Sequence, residues 1–463
     1  MDERYFALSF GQGGRFLLRD EVWEERFGLL CALNSVDPNS FRCVDVQSLD
    51  AIDSQTRIQS AAETTADKFG LNIEQDMLKA IVGAPLEYSY GSRMAGNDSL
   101  SVAVKMDLFD LPILLREYRR KFEADLSVQD HQWVNNISIV KDKELIEKLE
   151  ASLDGRLHSR DLDGIWLSIP EIIDWEKVDG FIYTNGKKEV HRDINFRGFN
   201  KTVKPGESLS LNLLCKARVH CVDIDFQQTY KSWSVFKCLY AEIEFDEQRY
   251  ILNGGKWFSL ASDFIERTNK EFAQIAKSNL MLPKYTGGGE KTYNERVAKN
   301  NSSTYALFDA KAISHGGGHG QVEVCDLLSI DKELIHVKIY GKSAVFSHLF
   351  SQGFVSGQLI QIDAEFRKKV KEKLKPPFSS LIDAAKKPLQ DEFTIIFAII
   401  SEHEGHSLNL PFFSRVNLNH AHKVLKGFGY KVELLKILVD ESFAKTTKSP
   451  PKGGPKKPRS PKI

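Results

Sequence analysis

The eight residues TIIFAIIS at 394–401 set the tightest limit on the fold. So continuous an apolar run reads as a strand buried on both faces, and such strands sit in sheets covered on both sides. The neighbouring segments supply the covering. SAVFSHLFSQGFVSGQLIQ has the spacing of a long amphipathic helix, and EFRKKVKEKLK reads as a basic helix stopped by Pro376-Pro377. HAHKVLKGFG reads as a helix and YKVELLKILV as a final strand. Upstream, KTYNERVAK reads as a short helix, STYALFDAKAI as a strand, and QVEVCDLLSIDKELIHVKIYG as two strands about a polar turn. Helix, three strands, helix, strand predicts a three-layer α/β sheet over residues 286–443.

A chain of 463 residues is too long for one ordinary core. Residues 1–130 read as an α+β domain suited to recognition, with FRCVDVQSL strand-like and NIEQDMLKAIVG and LPILLREYRRKFEADL at helical spacing. The polar SVQDHQWVNN marks a boundary. Residues 131–285 open with the charged helix KDKELIEKLEASL and turn strand-rich, through GFIYTN, SLSLNLLCKARVHCVDIDF and the hairpin QRYILN-GG-KWFSL. ASDFIERTNKEFAQIAKS closes that segment as a helix, and LPKYTGGGEK reads as a linker. Residues 444–463 hold seven Lys/Arg and no acid, so in a chain of zero net charge the remainder is acidic by seven. This Pro/Gly/Lys tail predicts disorder, as a solubilising end or a sequence-independent attraction for phosphate.

No stretch approaches 18 apolar residues, and MDERYFALSFGQGG lacks the apolar core of a secretory signal. The six cysteines form no C-x-x-C pair, which fits reduced thiols in the cytoplasm.

The polar residues inside the 321–341 strands need a reason, because a buried carboxylate is costly unless paired or bound to metal. His336 and Lys338 share a strand face, and a splayed end would bring Asp326 or Glu323 beside them. Carboxylates and a lysine meeting at a strand end match metal-dependent phosphodiester cleavage: acids hold Mg²⁺, and lysine positions water or neutralises charge. This order of elements resembles the PD-(D/E)XK nuclease core, a restriction-endonuclease-like fold. The resemblance implies a helix-borne acid at Glu290 (or Glu295), metal-binding Asp326 with Glu323 as the alternative or additional acid, Lys338 as the catalytic lysine and Gln352 as the orienting residue. The position two before the lysine is His336 rather than an acid. Imidazole can bind metal, and the departure equally admits a core that no longer cleaves. Gly353, Ser356 and Gly357 make a small-residue stripe for close approach to the sheet, while Ser347 and His348 stand near the helix start. Lys368, Lys369, Lys371 and Lys373, just beyond that helix, are candidate phosphate contacts; REYRRK at 116–121 reads as a solvated face.

Over most of its ordered length the chain also resembles an uncharacterised, sporadically distributed bacterial family (DUF6119-like). FGLLCALNSVDP, EVCDLLSIDKELIHVK, SHLFSQGFVSGQLI and LPFFSRVNL carry that resemblance. It implies mobile or defence-associated genes and brings no chemistry. HRDINFRGFN lacks the companions of a kinase loop, HGGGHG has no G-x-S-x-G, HEGH lacks H-E-x-x-H spacing, GQGG is a turn, and no P-loop occurs. The expectation is a cytoplasmic, Mg²⁺- or Mn²⁺-dependent nuclease acting on DNA, with RNA open, in defence against mobile elements or phage. The alternative is a non-catalytic nucleic-acid- or protein-binding module on a degraded nuclease fold. A homo-oligomer or partner protein is left open.

Overall fold

The computed structural model of the protein describes residues 5–9, 24–48, 54–70, 76–87, 90–126, 132–170, 173, 178–184, 189–223, 229–308, 313–315, 320–341, 343–403 and 408–440. Ten α-helices and several sheets, mostly antiparallel, make a mixed α+β chain among these residues. None of their helices is long and apolar enough to cross a membrane. The chain divides into two compact units, Met1–Arg267 and Thr268–Ile463. The GQGG, GGGH (316–319) and EGH (404–406) segments and the basic tail lie outside the described residues.

The first unit contains two apolar cores. One lies between the helices Phe27–Leu33 and Leu111–Glu123 and an antiparallel sheet whose long strands are Ser54–Thr64, Val36–Ser48 and Asp76–Pro85. The last of these occupies the segment whose spacing predicts a helix. It buries Met77, Leu78, Ile81 and Gly83 and pairs antiparallel with Val36–Ser48 through a register broken by bulges, so cross-strand pairing overrides a weak helical period. The second core gathers Leu149, Leu153 and Leu157 of helix Lys143–Ser159 against two further antiparallel sheets. The expected hairpin joins Gln248–Asn253 to Lys256–Leu260 through Gly254 and Gly255, at φ 61° and 79°. Leu211–Lys216 is a short helix inside a stretch read as strand, because the Ser210 hydroxyl caps it by accepting from the Leu213 N–H.

The second unit is built on a six-stranded sheet in the order Ala276–Lys277, Lys431–Leu438, Thr394–Ser401, Glu333–Ile339, Leu327–Ser329, Tyr305–Leu307. The first four strands run parallel and the last two pairings are antiparallel. Alternation along the parallel strands feeds two cores. Ile335, Val337, Ile396, Ala398, Leu435 and Ile437 pack with Tyr293 and Val297 of helix Gly289–Asn300. Leu334, Ile395, Phe397, Ile399 and Leu434 pack with helices Ser343–Ile362, Ala364–Lys373 and Phe412–Gly427. Thr394–Ser401 is buried at every position after its first, as its composition requires. Each apolar side chain so buried contributes about 1.5–3 kcal/mol, so this strand anchors both layers.

Glycines let the long helix Ser343–Ile362 lie directly on that strand. A Cβ on Gly353 would sit 2.5 Å from the Phe397 ring, and one on Gly357 would sit 2.9 Å from Ile395 Cδ1. The helix therefore runs antiparallel to the strands: residue 353 lies over 397, and residue 357 over 395.

Candidate active site

The run QVEVCDLLS, read as one strand, is two. Gly320–Val322 pairs with Ile313–His315 in a separate two-stranded sheet, and Leu327–Ser329 joins the main sheet. The break between them creates the site. Leu327–Ser329 covers its neighbour only at Leu334 and Ile335, so the N–H groups of Val337 and Ile339 face an edge that, among the described residues, has no strand beside it. Buried amides must be satisfied somewhere. Asp326 Oδ2 accepts from the Val337 N–H at 2.7 Å, and Glu290 Oε1 accepts from the Ile339 N–H at 3.0 Å. Two carboxylates thus stand in for the missing ladder, at amides about 7 Å apart on one strand edge.

Lys338 completes the arrangement. Its Cβ leaves the strand on the face shared with Leu334 and His336, yet its Nζ lies 2.9 Å from Glu290 Oε2. Glu290 belongs to the helix packed on the opposite face, so Lys338 reaches across the open edge. The segment that looks like a linker, TGGGEK, is the device that brings Glu290 there. Gly287, Gly288 and Gly289 take φ of 98°, 89° and 83°, and the Gly289 N–H donates to the Tyr285 hydroxyl at 2.9 Å. A third consecutive glycine before an acid was the available signal.

The remaining sequence candidates fall elsewhere. Gln352 Nε2 donates to Glu323 Oε2 at 2.6 Å, which makes a second set of contacts apart from Lys338. His336 is 2% exposed; its Nε2 has no hydrogen-bond partner and faces Phe397 and Gly353. Burial holds the imidazole neutral, with its pKa lowered to about 4. Ser347 accepts from Asn417 Nδ2 and His348 is exposed. Lys368, Lys371 and Lys373 are exposed and Lys369 is half-buried on helix Ala364–Lys373. That helix starts past the end of Ser343–Ile362, roughly 20 Å along the sheet from the Lys338 level by helix and strand rise. A lysine that sequence reasoning passed over lies nearer. Lys436 is in register with Lys338 through Ile399, its Nζ donates to the His403 carbonyl at 2.7 Å, and burial lowers its pKa.

A family model described as a family of unknown function (DUF6119) matches residues 1–438. The chain belongs to the DUF6119 family. Comparison of this DUF6119 chain with curated proteins and with solved structures gave no match.

Among the described residues of the DUF6119 chain, no group of three or more His, Cys, Asp or Glu side chains is arranged to hold a metal ion. The donor chemistry of the open edge is narrower than that. Asp326 and Glu290 supply two hard oxygen ligands, and Mg²⁺ characteristically takes one or two carboxylates and fills the rest with water and phosphate oxygen. Asp326 Oδ2 and both Glu290 oxygens already accept hydrogen bonds, so the described residues form no closed centre of protein ligands, and a hard, water-rich cation is the only kind such donors could take.

Proposed function

We propose that unit Thr268–Ile463 is a metal-dependent nuclease with a restriction-endonuclease-like core, and that Asp326, Glu290 and Lys338 form its active site. The observation that carries the reading is the unladdered edge at Val337 and Ile339, where two carboxylates and a lysine converge. The order helix, three strands, helix, strand around that edge supports it. Asp326 and Glu290 would hold Mg²⁺ or Mn²⁺, which supplies an activated water and neutralises charge on the phosphate. Lys338 places a cation where negative charge grows on the scissile phosphate, and Glu290 fixes its position. DNA is the proposed substrate, with RNA as the second polymer to test, and phage or mobile-element defence the setting.

A second reading has its own observation. Both Glu290 oxygens are already engaged, and the position that carries an acid in active nucleases of this type is an enclosed, neutral imidazole. A binding module without cleavage would look this way. Calorimetric titration of Mg²⁺ and Mn²⁺ into wild type, Asp326→Asn and Glu290→Gln, beside a nucleic-acid binding assay, separates the two. The nuclease reading expects cation binding that both substitutions weaken at least tenfold. Nucleic-acid binding with no carboxylate-dependent cation uptake would establish the binding module instead.

A further inference from the structure

The open edge holds each of its carboxylates through a backbone amide. Asp326 Oδ2 accepts from the Val337 N–H at 2.7 Å, and Glu290 Oε1 accepts from the Ile339 N–H at 3.0 Å. Both donors belong to the strand, so they stay in place when side chains around them change. The other oxygen of Glu290 is held differently. Oε2 lies 2.9 Å from Lys338 Nζ, in an ion pair whose two side chains are 25% and 30% exposed. Among the described residues Lys338 pairs with no other acid. An ion pair this solvated exchanges readily with water. The labile contact of the site is therefore the one to lysine, and it occupies an oxygen that a cation on Glu290 would use.

Charge sets the sign of the relationship. The formal charges of Asp326, Glu290 and Lys338 sum to −1. Two carboxylates alone would balance a divalent ion. With the ammonium in contact with one of its ligands, such an ion meets a like charge close by, and the two repel. Removing the ammonium leaves Glu290 still bonded to the Ile339 amide, so the ligand oxygens keep their backbone anchors while the repulsion goes.

We infer that Lys338 antagonises a divalent cation at Glu290: the lysine that serves the scissile phosphate also limits how tightly the site is loaded. This rests on the reading of Asp326 and Glu290 as cation ligands. It gives one residue opposite effects on two properties, since loss of Lys338 raises cation affinity and lowers cleavage.

Calorimetric titration of Mn²⁺ into the full chain tests this, with wild type, Lys338→Met, Lys338→Arg, Glu290→Gln and the double variant Glu290→Gln/Lys338→Met at one ionic strength. Methionine removes the charge and keeps much of the side chain's length, and a thermal melt verifies each fold. Lys338→Met should bind Mn²⁺ tighter than wild type by roughly threefold or more, the scale of a partly solvated pair. Lys338→Arg keeps the charge and should show no gain, and the double variant should lose the gain with the carboxylate. Equal or weaker binding by Lys338→Met, where wild-type binding depends on Glu290, overturns the antagonism and leaves the cation reading standing. A gain that Lys338→Arg shares, or that persists in the double variant, overturns it as well. Mn²⁺ binding that is absent, or indifferent to Glu290, in every one of these proteins overturns both.

Discussion

Lys338 and Glu290 meet across an open strand edge at 2.9 Å, from elements on opposite faces of one sheet. The pair is partly solvated, with side chains 25% and 30% exposed, so its net worth to stability is about 1 kcal/mol or less. Lys338→Met should therefore fold with a chemical-denaturation midpoint close to wild type. A loss of several kcal/mol would show that the lysine is a structural element first.

Asp326 is different, because its carboxylate satisfies a backbone amide. Asp326→Ala strips the Val337 N–H of its acceptor and should cost roughly 1–3 kcal/mol. Asp326→Asn keeps an acceptor oxygen and should recover most of that loss while removing the charge. Equal stabilities for the two variants in urea melts would contradict the capping role.

The close approach at Gly353 admits no side chain. Gly353→Ala places a methyl 2.5 Å from the Phe397 ring and 3.4 Å from His336 Nε2. Ring and helix must then move, at a cost of about 1–3 kcal/mol. A neutral or stabilising result in a thermal melt would mean that the helix is not seated as described.

His336 gives stability a pH dependence of definite sign. Its folded pKa, about 4, lies below the ordinary 6.5, so between these values the unfolded chain binds the extra proton. The contribution is nil above about pH 6.5, and destabilisation grows as pH falls toward 4, to about 3 kcal/mol at most. His336→Gln should flatten that slope. An unchanged slope in denaturation curves between pH 7 and 4.5 would assign the acid sensitivity elsewhere.

Much of the second unit was legible because its signals are local and strong. TIIFAIIS, the Pro376-Pro377 stop and the Gly353/Gly357 stripe each dictate one outcome, and the structure has it. What was not legible depends on tertiary pairing. Nothing local in QVEVCDLLS tells that Gly320–Val322 leaves for another sheet, although that departure bares the Val337 and Ile339 amides. Nothing local separates Gln352 and Glu323 from Lys338, since their mutual hydrogen bond is a matter of where the long helix sits. His336 was named for its spacing to the lysine; alternation alone did not reveal that Gly353 and Phe397 close over it.

The most direct measurement is cleavage of plasmid, linear duplex, single-stranded DNA and RNA with Mg²⁺ or Mn²⁺, wild type beside Lys338→Met. The account predicts metal-dependent loss of at least one substrate and a fall of at least a hundredfold in the variant. Wild-type cleavage by Lys338→Met, or binding of nucleic acid without cleavage by either protein under any cation, would contradict it.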